Sequence, residues 1–277
     1  MPKFVVGIGS QRAGSTLLHR ILDECTNIFM HPVKELHYYD TLYGVRNENI
    51  LREYSKKQVD REVDRLLKEN NFSYVDKRYK CYLRANKILA NVDLKKIDYI
   101  DLYRPCLMDY EFLGEITPEY MILPEVAVQK MSNDLGNETK IILITRNPVD
   151  RFVSAFKLLK LYGGKSYDMN KFADDIKEVF DIMPTWIEQQ RELNDYEKSF
   201  KKYAKYFSSV KVFSYESMVG DPSAFLKSLE EFLEVDVDIP KGLESFSEKV
   251  NSIGETRSLD PVVKEIIEKK LSGVSYD

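Results

Sequence analysis

Cysteine is scarce in this sequence. Its three residues, Cys25, Cys81 and Cys106, are odd in number and show no CxxC spacing. They read as reduced thiols of an intracellular protein and as small core residues. Histidine is as rare: His19, His31 and His37 stand in no ligand spacing, which argues against a zinc site. No apolar run is long enough to span a membrane. The N-terminus has one lysine before a β-rich run and lacks an apolar signal-peptide segment and cleavage site. Excess positive charge is also missing. The formal net charge is −4 and the pI near 5.7, so nucleic acid is not an expected partner. Any anionic substrate must be held by local positive charge. Repeats, low-complexity segments and linkers are absent too. At 277 residues and 43% hydrophobic content, the chain reads as one domain over 1–277.

What the chain does have is concentrated in Lys3 to Leu22. Phe4, Val5, Val6 and Ile8 form a short apolar run, fit for a buried strand. The run breaks into Gly9-Ser10-Gln11-Arg12-Ala13-Gly14-Ser15-Thr16. Leu17, Leu18, Ile21 and Leu22 follow at helical spacing, so a helix begins near Ser15. Strand, glycine loop and helix make a phosphate cradle, with loop amides and the helix N-terminus aimed at one anion.

The loop departs from a Walker A sequence. Gly9 and Gly14 have its spacing and Thr16 follows, but Ser15 stands where the lysine belongs. The cation is Arg12, inside the loop. A nucleoside triphosphatase needs that lysine and a carboxylate to help hold magnesium. Arginine in the middle of the loop suits an anion handled without metal. An ordinary tight turn is the alternative.

Gln11-Arg12-Ala13-Gly14-Ser15-Thr16 resembles the 5′-phosphosulfate loop of the sulfotransferases that use 3′-phosphoadenosine 5′-phosphosulfate (PAPS). Arg12 matches the basic residue of their Pro/Arg-Lys/Arg-Ser/Gly-Gly-Thr-Thr/Arg pattern. The tyrosylprotein and heparan sulfate enzymes are the nearest in flavour. Lys34-Glu35-Leu36-His37-Tyr38-Tyr39-Asp40 resembles the Glu-Val-His-Phe-Phe-Asp segment of heparan sulfate 3-O-sulfotransferases. The resemblance makes Glu35 the catalytic base. An extended segment here places Glu35, His37 and Tyr39 on one side by period two, with Lys34, Leu36 and Tyr38 on the other. His37 is therefore the second candidate base. A glutamate base working near neutrality is expected to have its pKa raised by burial.

Gly114-Glu115-Ile116-Thr117-Pro118-Glu119-Tyr120 resembles the Glu-Lys-Thr-Pro-x-Tyr segment of carbohydrate sulfotransferases, with Ile116 in place of a lysine that helps grip sulfate or acceptor. Lys34 or Arg12 can substitute, or the acceptor is less anionic. Lys140 to Thr145 is a continuous apolar run, fit for a central parallel strand. After it, Arg146-Asn147-Pro148-Val149-Asp150-Arg151-Phe152-Val153-Ser154 resembles the family's 3′-phosphate segment. It implies a bidentate phosphate clamp by Arg146 and a hydroxyl donor at Ser154.

Val210 to Met218 reads as strand and turn, and Asp221-Pro222 starts a helix. The stretch resembles the family's Val-x-x-Tyr-Glu-Asp-Leu scaffold and brings Tyr215 to the cofactor. Ser252 to Pro261 resembles the loop that closes over PAPS, and carries over Arg257.

Elsewhere, periodicity predicts one or two amphipathic helices over Glu48 to Glu69, a helix over Asn86 to Asp101 and an irregular stretch over Leu102 to Leu113. Helices are also expected over Tyr196 to Phe207 and Pro261 to Leu271. Arg78, Lys80, Arg84, Lys87, Lys95 and Lys96 form a mildly basic zone, which reads either as an acceptor lining or as a solvated helix face.

The resemblance implies an α/β, P-loop-like three-layer fold: a central parallel sheet flanked by helices, with a helical insertion around 45–112. The implied reaction moves a sulfuryl group from PAPS to an acceptor hydroxyl and leaves adenosine 3′,5′-bisphosphate, with no metal. The cofactor would lie on Gln11, Arg12, Ala13, Gly14, Ser15, Thr16, Arg146, Ser154, Tyr215 and Arg257. Glu35, Arg12 and His37 would carry the chemistry. The family's eukaryotic carbohydrate and tyrosine enzymes sit behind a membrane anchor, so this chain is expected to be a soluble, cytoplasmic, bacterial member. A P-loop kinase-like phosphotransferase and a non-catalytic nucleotide-binding module are the alternatives.

Overall fold

The computed structural model describes residues 2–69, 76–163, 171–247 and 260–272. The sheet has five parallel strands in the order β2-β3-β1-β4-β5: β1 (Lys3–Gly9), β2 (Phe29–Met30), β3 (Phe112–Ile116), β4 (Lys140–Thr145) and β5 (Ser209–Ser214). In chain order the helices are α1 (Ser15–Cys25), α2 (Tyr38–Leu42), α3 (Glu48–Glu69), α4 (Lys77–Asn91), α5 (Glu125–Leu135), α6 (Pro148–Tyr162) and α7 (Phe172–Ile182). Then come α8 (Pro184–Glu192), α9 (Tyr196–Ala204), α10 (Tyr215–Gly220), α11 (Pro222–Leu233), α12 (Ile239–Ser247) and α13 (Pro261–Leu271).

Period two sorts the strand side chains into two cores. Phe4, Val6 and Ile8 of β1 join Ile141 and Leu143 of β4 and the buried residues of α4 and α5. Val5, Ile142 and Ile144 face the other way, onto α1 and α11. Helices α6, α7, α8 and α13 bury a third cluster around Phe152 and Phe156. This is the three-layer arrangement that the resemblance implied. Cys25, Cys81 and Cys106 are free and buried, as small core residues.

The insertion differs in detail from the periodicity. Glu48–Glu69 is one helix. The next begins earlier than expected, at Lys77, where the Asp76 side chain accepts from Tyr79 N, and ends at Asn91. The Asp93 side chain then accepts from Lys95 N, and short 3₁₀ turns follow over Leu94–Lys96 and Tyr99–Tyr103. Asn86 to Asp101 is therefore not one helix. Nor is Leu102 to Leu113 wholly irregular, because β3 starts at Phe112 inside the sheet.

β3 and β4 leave β1 on opposite sides, so the strand order reverses at β1. The crevice beyond the carboxyl ends of such strands is where open α/β sheets bind ligands. The segments after β1, β2, β3, β4 and β5 all reach that edge.

Candidate active site

The loop after β1 is held by hydrogen bonds to its surroundings and within itself. Ser10 is buried; its N–H donates to Ile144 O at 2.7 Å and its hydroxyl to Leu193 O at 2.8 Å. Ala13 N donates back to Ser10 O at 3.2 Å. Arg12 takes a left-handed φ of 66° and Gly14 one of 96°. Gly14 stands just before α1, whose first turn has no side-chain cap. A helix N-terminus left this way offers N–H groups to an anion. A Cβ at Gly14 would meet Met218 Cε at 2.7 Å and Tyr215 Cδ2 at 3.0 Å.

The second motif lies against the first. Asn147 Oδ1 accepts from Val149 N at 3.0 Å and Asp150 N at 3.2 Å, capping α6, and Pro148 fills its first position. Arg146 Nη1 donates to Arg12 O at 2.7 Å, and its guanidinium sits 4.6 Å over the Tyr215 ring. Arg12 Nε donates to Ser154 Oγ at 2.9 Å. Burial, then the charge of Arg146, pulls the Arg12 pKa down. Two guanidinium groups so placed favour an anion between them. The fit to a phosphate rests on Arg12, Arg146, Ser154 and Tyr215, which the fold brings together from three separate segments.

The third segment is the stretch after β2. The carboxylate of Glu115 is fully buried and accepts from Tyr99 OH at 2.6 Å, Tyr120 OH at 3.0 Å, Thr117 Oγ1 at 2.7 Å and Leu36 N at 3.2 Å. That last bond ties down the backbone between Glu35 and His37. Burial is the first reason the Glu115 pKa is raised.

His37 has a left-handed φ of 50° and directly precedes α2. Its Nδ1 donates to Asp40 Oδ2 at 2.7 Å, and its Nε2 lies 3.4 Å from Glu35 Oε2. Lys34 Nζ donates to Thr16 Oγ1 at 2.6 Å and to Glu35 Oε1 at 3.3 Å. Glu119 Oε1 accepts from Gln11 Nε2 at 3.1 Å. One ligand atom from each of Glu35, His37 and Glu119 lies within 4.8 Å of the others.

Two details differ from the expectation. The segment is not extended through Tyr39: the chain turns into α2 at Tyr38, and Tyr38 and Tyr39 are both buried in the core. Glu35 and His37 nevertheless share a side, because the turn at His37 folds its ring back toward Glu35. Second, the Glu35 pKa is not raised. Burial pushes it up, but the His37 hydrogen bond and the Lys34 charge outweigh burial and hold it at about 2. Burial pushes His37 down, but its bonds to Asp40 and Glu35 lift it to about 10.

Ile116 is buried in the core facing α1, where a Cβ on Gly7 would meet it at 2.8 Å. The cation beside Glu35 is instead Lys34. Arg257 lies outside the described residues. Asp40, Glu115 and Glu119 were not among the expected site residues. Asp40 matches the aspartate that closes the Glu-Val-His-Phe-Phe-Asp pattern, which could have found it. Glu119 falls on the variable position of the Glu-Lys-Thr-Pro-x-Tyr segment, which carries no such mark.

The model of a family described as Sulfotransferase family matches residues 2–239. The chain belongs to the sulfotransferase family. It is similar in fold to a sulfotransferase from Alicyclobacillus acidocaldarius, with 17% identity and a TM-score of 0.56 over 98% of this chain and 92% of that one. It is also similar to the sulfotransferase domain of the Synechococcus PCC 7002 olefin synthase, with 18% identity and a TM-score of 0.50 over 99% and 89%. No curated protein matches it by sequence. Among the described residues no helix is long and apolar enough to cross a membrane. In this sulfotransferase the loop after β1 lies against the start of α6, and the segment after β2 carries a carboxylate and an imidazole.

Proposed function

We propose that this sulfotransferase, acting as a single domain in the cytoplasm, transfers the sulfuryl group of PAPS to an acceptor hydroxyl. The observation that carries the reading is the meeting of the two anion motifs: Arg146 Nη1 on Arg12 O at 2.7 Å and Arg12 Nε on Ser154 Oγ at 2.9 Å. Arg146, Ser154 and the face of Tyr215 would hold the 3′-phosphate. Residues 11–16 and the N-terminus of α1 would hold the 5′-phosphosulfate.

The donor supplies an activated sulfuryl group, so a bond from acceptor oxygen to sulfur forms as the bond from sulfur to the phosphate oxygen breaks. Glu35 takes the acceptor's proton as that bond forms. His37, oriented by Asp40, holds Glu35 in place and ionised. Lys34, bridging Thr16 and Glu35, and Arg12 stabilise charge as it develops on the phosphate side. No chain residue needs a metal for these roles. The resemblance to PAPS enzymes supports the choice of donor, and the absence of a Walker lysine weighs against ATP.

The test is turnover of labelled PAPS against a panel of hydroxyl acceptors, with and without a chelator. Formation of sulfated product and adenosine 3′,5′-bisphosphate is expected. Magnesium-dependent ATP turnover, with PAPS untouched, overturns the reading.

A further inference from the structure

Glu119 has no place in the chemistry derived above, yet one of its oxygens lies within 4.8 Å of ligand atoms of Glu35 and His37. It is only 9% exposed. Its Oε1 is engaged by Gln11, while Oε2 is buried with no hydrogen-bond partner among the described residues. A buried carboxylate oxygen without a donor is costly, and native proteins rarely leave one so unless a water, an ion or a ligand supplies the donor. Its surroundings are dry and carry charges of both signs. Burial pushes the Glu119 pKa up; His37 pulls it down, Glu35 and Asp40 push it up, and Arg46 pulls it down.

The spacing limits what that donor can be. Ligand atoms of Glu35, His37 and Glu119 all fall within 4.8 Å of one another. Two heteroatoms on adjacent or next-but-one carbons stand roughly 3–5 Å apart by ordinary bond lengths and staggered torsions. One small acceptor fragment can therefore reach both carboxylates at once. A negatively charged acceptor group in this space would meet the three carboxylates of Glu35, Asp40 and Glu119, which already engage the charges of His37 and Arg46. Lys34 is drawn to Thr16 and Glu35, and Ile116 is buried in the core.

We propose that Glu119 is an acceptor-recognition residue: the acceptor carries a second N–H or O–H donor one or two carbons from the hydroxyl that is sulfated, and it is not a polyanion. The inference rests on the sulfuryl-transfer reading above. It names the acceptor class that reading leaves open: vicinal or 1,3-related diols and amino alcohols. Glu119 Oε2 receives the second donor while Glu35 takes the reacting proton. A site built to accept a substrate hydrogen bond rejects the analogue that lacks it, because its own buried group is then stranded.

The test uses the full chain, PAPS and matched acceptors on several carbon skeletons. Each set contains a diol, the corresponding amino alcohol, the mono-alcohol and a diol bearing an added sulfate. Wild type is expected to prefer the two-donor members over the mono-alcohol by roughly 10- to 100-fold in kcat/KM, and to turn over the sulfated member least. Glu119→Leu should bring that ratio close to one. Glu119→Gln should keep preference for the diol and lose it for the amino alcohol, which separates a hydroxyl from an ammonium as the native donor. Calorimetry with adenosine 3′,5′-bisphosphate checks that each variant is folded and binds nucleotide.

Sulfation without preference for two-donor acceptors overturns the inference, as does a ratio that Glu119→Leu leaves unchanged. A sulfated member that reacts best also overturns it. No transfer to any set, with adenosine 3′,5′-bisphosphate still bound, overturns the acceptor class and leaves the donor reading standing. Absence of nucleotide binding in the wild type strikes the donor reading instead.

Discussion

Ser154 Oγ accepts a hydrogen bond from Arg12 Nε at 2.9 Å, across 142 residues of chain. The loop after β1 and the first turns of α6 are thus one continuous surface, closed by Arg146 on the Arg12 carbonyl.

Nucleotide selectivity follows from that surface. Arg146→Ala should cost ~2–3 kcal/mol of affinity for adenosine 3′,5′-bisphosphate. It should leave that nucleotide and 5′-AMP binding alike. Ser154→Ala should cost ~1 kcal/mol in the same direction. Calorimetry measures both; a wild type that already binds the two nucleotides equally removes Arg146 from the 3′-phosphate.

Arg12 and Lys34 should separate in kinetics. Arg12 contacts Ser154, so Arg12→Ala should raise KM for PAPS as well as lower kcat. Lys34 lies between Thr16 and Glu35, so Lys34→Ala should act mainly on kcat. Steady-state kinetics with saturating acceptor decides; equal effects of the two variants on KM would contradict the division.

Glu35→Gln should lower kcat by ~100- to 10,000-fold, the usual contribution of a general base, with nucleotide affinity intact. His37→Ala should lower it less and shift the acid limb of the pH–rate profile upward. The sign follows from the forces on Glu35: burial raises its pKa, and loss of the His37 bond leaves only Lys34 to oppose burial. An acid limb that stays in place would show that His37 does not set the charge of Glu35.

The His37–Asp40 contact should make stability depend on pH. The folded pKa of His37 is raised to about 10 from 6.5. Its stabilisation is therefore full below pH 6.5, declines as pH rises, and is gone above about pH 10. Asp40→Asn should cost ~3 kcal/mol near pH 6, in the range for breaking a buried pair. The gap in Tm from wild type should narrow steadily toward pH 10. Thermal melts across that range check it; a constant gap would show that the imidazolium is not the source.

Gly14→Ala should destabilise the loop without touching any charge. The added Cβ meets Met218 Cε at 2.7 Å, and φ of 96° is unfavourable for any L side chain. The backbone term alone is about 1–2 kcal/mol. A lower Tm with weaker nucleotide binding is expected; a Tm unchanged from wild type would mean that the loop and α10 give way freely.

The legible parts were the local ones. β1, β4, α6 and α13 announce themselves through continuous apolar runs or a proline at the first helical position. The 3₁₀ turns over 94–103 and strand β3 did not. Helical spacing runs on through Asn91 to Asp93, where side-chain capping stops it. The strand Phe-Leu-Gly-Glu-Ile carries a glycine and a carboxylate, because Glu115 is buried there by partners distant in sequence.

Sequence alone determined the strand, glycine loop and helix at the start of the chain, the proline-started helix after β4 and the pairing of Glu35 with a nearby histidine. Each depends on residues close along the chain, where backbone propensity and spacing suffice. Only tertiary structure decided which charges face which. Arg12 turned to Ser154, Lys34 took the place beside Glu35, and Ile116 went into the core. Glu119, far along the chain, arrived next to Glu35 and His37. The ionisation of Glu35 was decided there too. Burial and ion pairing push its pKa in opposite directions, and which prevails depends on distances that only the folded chain establishes.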